Sequence, residues 1–380
     1  MTLFRSFISA LVLALALPCF ASEPSRIDTL INEAISHNLI AGGVVLIGNR
    51  DKVLFQRAYG RVSGIPEAGA MTTTTLFDIA SLTKVVATTP AVLKLAEEGR
   101  LSLLDPVVKW FPEFTGRGKD AILVLNLLTH TSGLDDIPLS NASPLQSAIE
   151  GAAAQKLKGE IGSRFRYADL NFILLAELTR RATGAGLDLY AHASFYSPLG
   201  MSDTSFRPLE KERCSATICD GALLVGEVQD QLSRQLGGVA GHAGLFSTAG
   251  DLARFCRMML YGGSLDGSRV LAQRTVAQMT APYFSRGGDV VRGLGWDISS
   301  PYSSPRGLGF SRISYGHTGY SGSSIWIDPV PDLFVVLLTA RLDYKNVSDF
   351  NKLRGELSTL ASLIFASPAT VGEMAHLRDE

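Results

Sequence analysis

The chain is poor in charge and in long apolar runs, and each shortage excludes a class of protein. Only 19% of its 380 residues are charged and the formal net charge is −1, so we expect no nucleic-acid partner. Beyond the N-terminal segment, no apolar run approaches the roughly 18 residues of a membrane-spanning helix, and no stable membrane span is expected. With 46% hydrophobic residues the chain can bury a large core, which excludes intrinsic disorder.

The N-terminal segment has the pattern of an export signal. Arg5 supplies a positive charge, an apolar run follows, and small residues at Cys19 and Ala21 predict cleavage after Ala21. We therefore predict a signal peptide over residues 1–21 and a periplasmic or secreted mature protein. Lipid attachment at Cys19 is an open alternative, which the preceding Pro18 disfavours.

Cysteine is scarce, with four residues in the whole chain, of which Cys19 falls in the signal. Cys214 and Cys219 lie close together in a loop-like stretch without histidines at zinc-ligand spacing. In an oxidising compartment this spacing favours a disulfide between them over two free thiols. Cys256 falls on an apolar helical stripe and is predicted to be a buried core thiol.

Strand signals at both ends of the chain enclose a mostly helical middle. Helical spacing over residues 26–38 is followed by two β-rich runs that are separated by turn residues 49–51, which predicts a hairpin. Strand signals return after about residue 290, and the chain closes with a helical pattern. Antiparallel hairpins without alternating βαβ units predict an α+β fold, with an antiparallel sheet flanked by helices and built from both chain ends.

The same pattern predicts one domain with two lobes. We place the α/β lobe at about residues 22–88 and 281–380, and the inserted, mostly helical lobe at about residues 89–280. No G-x-G-x-x-G sequence follows a strand and opens a helix, which excludes a Rossmann dinucleotide site. We expect no cofactor.

Ser81 and Lys84 form an S-x-x-K pattern that occurs only here in the chain. Residues three apart on a helix share a face, so the serine hydroxyl and the lysine amine can meet one turn apart. A serine hydroxyl is a weak nucleophile that needs an adjacent base, and desolvation near a helix N-terminus helps a lysine to lose its proton. The alternative is a serine N-cap beside an exposed lysine, which the motif alone does not exclude.

Two further motifs support the catalytic interpretation. Tyr167 and Asp169 form a Y-x-D pattern, and a tyrosine beside a lysine ammonium is stabilised as a phenolate that can relay protons. The tripeptide His317-Thr318-Gly319 precedes an apolar strand, where small residues let a substrate approach the backbone closely. The next amide, at Tyr320, is then expected to pair with the Ser81 amide as an oxyanion hole.

In this order, S-x-x-K, Y-x-D and H-T-G resemble the motifs of the serine β-lactamase-like superfamily, which includes class C β-lactamases, low-molecular-weight penicillin-binding proteins and related esterases. Longer stretches also resemble its members: LFDIASLTKVVATTPAV, LLTHTSGL, GGVAGHAGLFSTAGDLARF, RGLGW and GHTGYSGSSIWIDP. The resemblance covers most of residues 40–340. It implies an α/β lobe with an antiparallel sheet, a helical lobe, and a catalytic groove between them.

The resemblance also implies roles for the motif residues. Ser81 is expected to be the acylated nucleophile, Lys84 its base partner and Tyr167 the proton relay. His317, Thr318 and Gly319 are expected to line the groove opposite.

Two positions depart from the usual motifs and bear on the substrate. Asp169 stands where many relatives have an amide, and His317 stands where many have a lysine. A neutral histidine attracts a substrate carboxylate less than an ammonium does, and a nearby aspartate repels it. We therefore expect neutral esters to be better substrates than cephalosporins or anionic D-alanyl peptides, unless an arginine reaches the groove.

The leading hypothesis is an exported serine hydrolase that forms an acyl-enzyme on Ser81. It would act, as a monomer, on a small molecule or a peptidoglycan peptide: a carboxylic ester, a D-alanyl cell-wall peptide or a β-lactam. The alternative is a non-catalytic protein of the same fold that binds penicillin or peptidoglycan fragments, although such a protein has no need of all three catalytic side chains. An α/β-hydrolase esterase is disfavoured because the chain has no G-x-S-x-G elbow.

The remaining histidines favour structural roles. We expect His130 and His242 to hold loops by hydrogen bonds. His37, His192 and His376 have no partner at metal-ligand spacing, so no metal site is predicted.

Overall fold

The computed structural model describes residues 23–116, 118–286, 290–300 and 302–366. The predicted signal peptide and His376 lie outside the described residues. The strands, in chain order, are β1 (Ile40–Gly48), β2 (Val53–Gly60), β3 (Phe77–Asp78), β4 (Ser205–Phe206), β5 (Ala216–Cys219), β6 (Ala222–Val225), β7 (Leu245–Ser247), β8 (Ser264–Leu265), β9 (Ser268–Arg269), β10 (Phe284–Arg286), β11 (Val290–Arg292), β12 (Asp297–Ser299), β13 (Tyr315–Thr318), β14 (Ser324–Asp328) and β15 (Leu333–Arg341).

The α-helices are distributed around and between these strands. In chain order they are α1 (Glu23–Ser36), α2 (Thr89–Glu97), α3 (Val124–Leu128), α4 (Pro144–Ala154), α5 (Asp169–Thr183), α6 (Leu187–Ala191), α7 (Gln231–Gln235), α8 (Ala249–Leu260), α9 (Gln273–Thr280) and α10 (Val347–Phe365). Within the described part of the chain, none of them is both long and apolar enough to cross a bilayer.

The main sheet joins the two ends of the chain, as the sequence predicts. Its eight strands run in the order β10-β11-β12-β13-β14-β15-β1-β2, and all neighbouring pairs are antiparallel. The predicted hairpin joins β1 to β2, where the Asn49 side chain accepts hydrogen bonds from the Asp51 and Lys52 amides. The α+β prediction is therefore confirmed.

The central strands are buried on both faces, which explains why they are almost uninterrupted apolar runs. Successive side chains of a strand point to opposite faces of the sheet. In β15, Val336 and Leu338 pack into the core shared with the middle of the chain, whereas Val335 and Leu337 pack into the core under α1 and α10. Burying both faces in this way fixes the register, because a slip of one residue would exchange the two sets.

A separate apolar core lies in the helical part of the chain. It is formed by residues between Val92 and Leu178, with Leu294. Helix α8, in contrast, contacts β1 and β15 and contributes Phe255 and Cys256 to the core on the sheet. Helix α8, which falls within the predicted helical lobe, therefore packs on the sheet. The lobe boundaries stay a prediction.

The predicted disulfide between Cys214 and Cys219 is absent, and this prediction is wrong for the structure described here. Both thiols are free. Residues 216–219 form strand β5, and about five residues of extended chain separate the two Cα atoms by roughly 16 Å. A disulfide requires Cα atoms within about 7 Å, so the extended conformation keeps the thiols apart. Cys256 is fully buried, as predicted.

Candidate active site

Ser81 lies on a tight turn directly after strand β3. The turn is a 3₁₀ segment, Ala80–Leu82, that Ala80 enters with a φ of +46°, an unfavourable conformation for a residue with a Cβ. The buried Asp78 side chain stabilises it by accepting a hydrogen bond from the Ala80 amide at 2.8 Å. The Asp78 carboxylate thus offsets part of the backbone strain at Ala80, the residue directly before Ser81.

Lys84 begins a π-helical segment, Lys84–Thr88, that leads into α2. Pro90 lies at the start of α2, directly after the π-helical segment. Lys84 Nζ lies 3.0 Å from Ser81 Oγ and donates a hydrogen bond to it, so the S-x-x-K pair meets as predicted.

The Lys84 side chain is completely buried and strongly paired. Its Nζ lies 2.7 Å from Asp169 Oδ1 and 5.0 Å from the centre of the Tyr167 ring. Burial alone would lower the pKa of Lys84, but the Asp169 carboxylate and Tyr167 raise it above its ordinary value. The expectation that Lys84 loses its proton easily is therefore wrong for the resting site, which holds an ammonium.

Tyr167 is held as a neutral phenol. Burial raises its pKa, and Asp169 adds to this effect, while Lys84 and a hydrogen bond with Ser81 act in the opposite direction without cancelling it. The predicted phenolate is therefore not the resting form. The ring stacks on His130 with 4.5 Å between ring centres, and the Nδ1 of His130 accepts a hydrogen bond from the Ala168 amide.

The main contact of Asp169 is with Lys84. It is the first residue of α5, where the helix dipole favours a carboxylate, and it pairs with Lys84. Asp169 is not among the described residues that line the cavity beside Ser81, and its predicted contact with substrate stays a prediction. The carboxylate compensates the buried ammonium, and Lys84 and His242 hold the pKa of Asp169 below its ordinary value against the effect of burial.

The end of strand β13 is attached directly to the turn before Ser81. Ser321 Oγ donates to the Asp78 carbonyl at 2.6 Å, and Ser323 Oγ donates to the Ile79 carbonyl at 2.8 Å. At Gly319 an added Cβ would lie 2.5 Å from the Ile79 carbonyl oxygen, so only glycine allows this approach. The strand end that carries Tyr320 is thereby fixed beside the nucleophile.

His317 is buried, and the direction of its pKa shift favours the neutral form that the sequence analysis expects. Burial lowers its pKa well below the ordinary value, and the positive charges of Arg292 and Lys84 lower it further. Its Nδ1 donates to the Thr318 carbonyl at 2.8 Å, which leaves Nε2 as a hydrogen-bond acceptor.

A cavity of about 240 Å³ opens beside Ser81. Of the predicted site residues, Ser81, Tyr167, His317, Thr318, Gly319 and Tyr320 line it. The sequence analysis missed its other lining residues: Arg292, Asp297, Tyr302, Arg341, Val347, Asn351 and Arg354.

Three of the missed residues are buried arginines. Arg292 Nη1 lies 3.2 Å from Asp297 Oδ1, so this pair is electrically neutral. Arg341 and Arg354 have no carboxylate within 4 Å in the described part of the chain. Their hydrogen bonds go to main-chain carbonyls and to the Asn351 side chain, and Arg341 Nη2 and Arg354 Nε have no partner among the described atoms. The cavity therefore has excess positive charge.

This charge removes the reason for preferring neutral esters. That prediction assumed that His317 was the only cationic candidate in the groove and named an arginine as the exception. Two arginines meet that exception. The sequence held one usable signal: Arg354 falls between Phe350 and Leu357 on the buried stripe of α10, where a charged residue needs a reason.

Comparisons with known proteins identify the family of the chain. The model of the family described as Beta-lactamase matches residues 27–356. The chain belongs to the beta-lactamase family. A protein of Escherichia coli (strain K12) that is provisionally named a D-alanyl-D-alanine carboxypeptidase is 32% identical over 337 residues, 78% of this chain and 77% of that protein. A protein of the same provisional name from Salmonella agona is 32% identical over 306 residues, 71% of this chain and 70% of its own.

Two solved structures share the fold of the chain. A penicillin-binding protein homologue from Caulobacter crescentus superposes with a TM-score of 0.75 and 21% identity, covering 90% of this chain and 98% of its own. EstCE1, described as a hydrolase with promiscuous acyltransferase activity, has a TM-score of 0.74 and 22% identity, covering 89% of this chain and 98% of its own. At these identities the likeness concerns the fold alone.

Proposed function

We propose that this beta-lactamase family member is an exported D-alanyl-D-alanine carboxypeptidase that forms an acyl-enzyme on Ser81. The observation that carries the proposal is the pair of buried guanidinium groups, Arg341 and Arg354, without a carboxylate partner in the cavity beside Ser81. A buried charge without a counter-ion is costly, and an anionic ligand would compensate it. The C-terminal carboxylate of a D-alanyl peptide is such an anion.

The acylation step follows from the arrangement of Ser81, Lys84 and Tyr167. Ser81 Oγ attacks the carbonyl carbon of the last peptide bond while its proton passes to a neutral Lys84. The Ser81 and Tyr320 amides are the proposed oxyanion donors. The C–N bond then breaks, and the leaving amine of D-alanine takes a proton through Tyr167.

Deacylation uses the same groups in the opposite direction. A water molecule gives a proton to Lys84 and attacks the ester carbonyl carbon. Ser81 Oγ then regains this proton from Lys84 as the acid product leaves. Since the resting site holds Lys84 as an ammonium and Tyr167 as a phenol, one proton must leave the pair before the first attack.

Mapping the acylated residue tests this proposal. Labelled penicillin and a fluorophosphonate should each add one adduct to Ser81, located by mass spectrometry of peptides. Ser81→Ala should abolish both adducts and lower turnover on the order of 10³-fold, while thermal unfolding stays unchanged. The exposed Ser140, replaced by alanine, is the matched control and should be labelled like the wild type. An adduct on another residue, or turnover in Ser81→Ala, would contradict the mechanism.

The same experiment separates the non-catalytic alternative. A protein that only binds penicillin or peptidoglycan fragments would form a Ser81 adduct, or a tight complex, that persists for hours without release of product. The proposal expects repeated release of D-alanine from a D-alanyl-D-alanine peptide instead. For export, the N-terminus of the mature protein should begin directly after Ala21.

A further inference from the structure

The loop that contains His242 packs directly behind Lys84. Lys84 Nζ donates to the His242 carbonyl at 3.1 Å, and Thr88 Oγ1 donates to the Gly241 carbonyl at 2.6 Å. Ser233 Oγ also binds this loop, by donating to the Ala243 carbonyl at 3.1 Å. These main-chain contacts account for the position of the loop, but none of them uses the imidazole ring of His242.

The imidazole belongs to a second set of contacts. It is only 1% exposed, and its Nε2 lies 2.7 Å from Asp230 Oδ1. Asp230 is held in place because the same oxygen accepts a hydrogen bond from the Ser233 amide at the start of α7. One oxygen of Asp169, one of Asp230 and one ring nitrogen of His242 lie within 4.8 Å of one another. The cation next to this group is the Lys84 ammonium, 2.7 Å from Asp169.

Counting protons shows what this set of four side chains can do. With Lys84 charged and His242 neutral, the two aspartates leave a net charge of −1. If one N–H bond of Lys84 breaks and one N–H bond forms on the His242 ring, the net charge is unchanged. His242 Nδ1 is buried and has no hydrogen-bond partner among the described atoms, so its lone pair is available when Nε2–H donates to Asp230.

We propose that His242 is a positioning residue that acts through Lys84, taking up the proton that Lys84 must release before it can accept the proton of Ser81. Lys84 then becomes a neutral base with no net loss of a proton from the four side chains. Only the equilibrium between the two protonation states matters, so the two nitrogens need not touch. The inference rests on the proposed acyl-enzyme function.

The charged groups around His242 favour this exchange. Asp169 faces it from α5, Asp230 from the start of α7, and Lys84 from the π-helical segment. Asp136, whose carboxylate accepts a hydrogen bond from the Leu170 amide at 2.9 Å, is the fourth; burial and Asp169 raise its pKa. A protonated ring would lie next to the Asp169 and Asp230 carboxylates, and Lys84 would not repel it once Lys84 is neutral.

The test is the pH dependence of Ser81 acylation by an uncharged fluorophosphonate, which has no need of the cavity arginines. In the wild type, the rate constant should stay near its plateau at pH 7. In His242→Gln, which keeps a donor for Asp230, Lys84 must lose its proton to solvent. The acid limb should therefore move to higher pH by one unit or more, with about 10-fold slower acylation at pH 7 and rates that converge at high pH. Exposed His192→Gln is the matched control and should show no shift.

Three outcomes decide the matter. A rate that falls by the same factor at every pH in His242→Gln would indicate a packing role only and would overturn the inference. If the variant unfolds, NMR of the wild-type ring replaces it: the His242 ¹³Cε1 signal should titrate with the midpoint of the acylation profile, and a ring that does not titrate would overturn the inference. Absence of any Ser81 adduct in the wild type at all pH values would instead contradict the proposed function itself.

Discussion

Arg354 donates a hydrogen bond of 2.7 Å to the carbonyl oxygen of Gly319. It also donates to the Ser323 carbonyl at 2.8 Å, so one guanidinium on the last helix fixes both ends of the turn after β13. That turn carries Tyr320, whose amide is the proposed second oxyanion donor. The same buried charge that would attract a substrate carboxylate therefore also holds the strand end beside Ser81, which couples substrate binding to the geometry of the attack.

Removing the Arg341 guanidinium should lower the activity toward anionic substrates selectively. Arg341→Gln should lower kcat/KM for a peptide with a free C-terminal carboxylate about 10- to 100-fold, because a hydrogen bond to a charged group contributes about 1.5–3 kcal/mol. The C-terminal amide of the same peptide should lose far less, and Arg341→Lys should recover part of the loss. Equal losses for acid and amide would show that Arg341 only supports the turn through the Tyr320 carbonyl.

Tyr167 should be needed for proton transfer but not for folding. Tyr167→Phe removes the hydroxyl and keeps the ring that stacks on His130, so we expect kcat to fall about 10²- to 10⁴-fold with little change in the unfolding temperature. Steady-state kinetics and thermal unfolding of the same preparation measure both effects. A kcat near that of the wild type would remove Tyr167 from the mechanism.

The buried histidines should make the protein less stable in mild acid. Burial lowers the pKa of His130 well below its ordinary value of 6.5, and Arg292 and Lys84 add to the effect. At a pH between the pKa of the folded protein and that of the unfolded chain, the unfolded chain binds a proton that the folded protein does not. The free energy of unfolding should then fall as the pH drops below about 6.5. His130→Asn, which keeps an acceptor for the Ala168 amide, should lose about 1 kcal/mol less than the wild type between pH 7.5 and 5.5.

Urea unfolding at the two pH values measures this difference. Burial raises the pKa of Asp78 to about 6, which gives a contribution of opposite sign in this range, but that contribution is common to both proteins and cancels. Parallel pH dependence of wild type and His130→Asn would contradict the assignment of a neutral, buried His130.

Free thiols should differ sharply in reactivity. Cys219 is partly exposed, whereas Cys214 and Cys256 are buried, and burial raises the pKa of Cys214 to about 11. Iodoacetamide without reductant should therefore modify Cys219 alone in the native protein, as read by peptide mass spectrometry. If Cys219 reacts only after reduction, a disulfide forms in the native protein and the extended conformation of β5 does not persist.

The parts of the site that sequence reasoning found are those with short spacings. Ser81 and Lys84 are three residues apart, and a single turn of helix brings them together. The strands could be predicted because apolar runs and turn residues are local signals. The disulfide failed for a related reason: spacing in the sequence says nothing about distance once the intervening residues become a strand, as residues 216–219 do.

The missed features depend on contacts between distant segments. Lys84 gains its carboxylate partner from a residue on α5, and this pairing reverses the predicted direction of its pKa. Arg341 is the last residue of β15, whereas Arg354 lies within α10. Only the packing of α10 against the sheet brings both to the cavity beside Ser81. Charge in the groove therefore could not be judged from His317 alone.

The proposed carboxypeptidase activity requires that the cavity recognises a C-terminal carboxylate and that Ser81 cleaves the bond next to it. The most direct measurement is D-alanine release from diacyl-L-Lys-D-Ala-D-Ala, compared with hydrolysis of its C-terminal amide and of p-nitrophenyl acetate. We expect kcat/KM for the free acid to exceed that for the amide by about 10-fold or more, since the arginine contact is lost in the amide. Equal cleavage of acid and amide, or ester hydrolysis without any release of D-alanine, would contradict it.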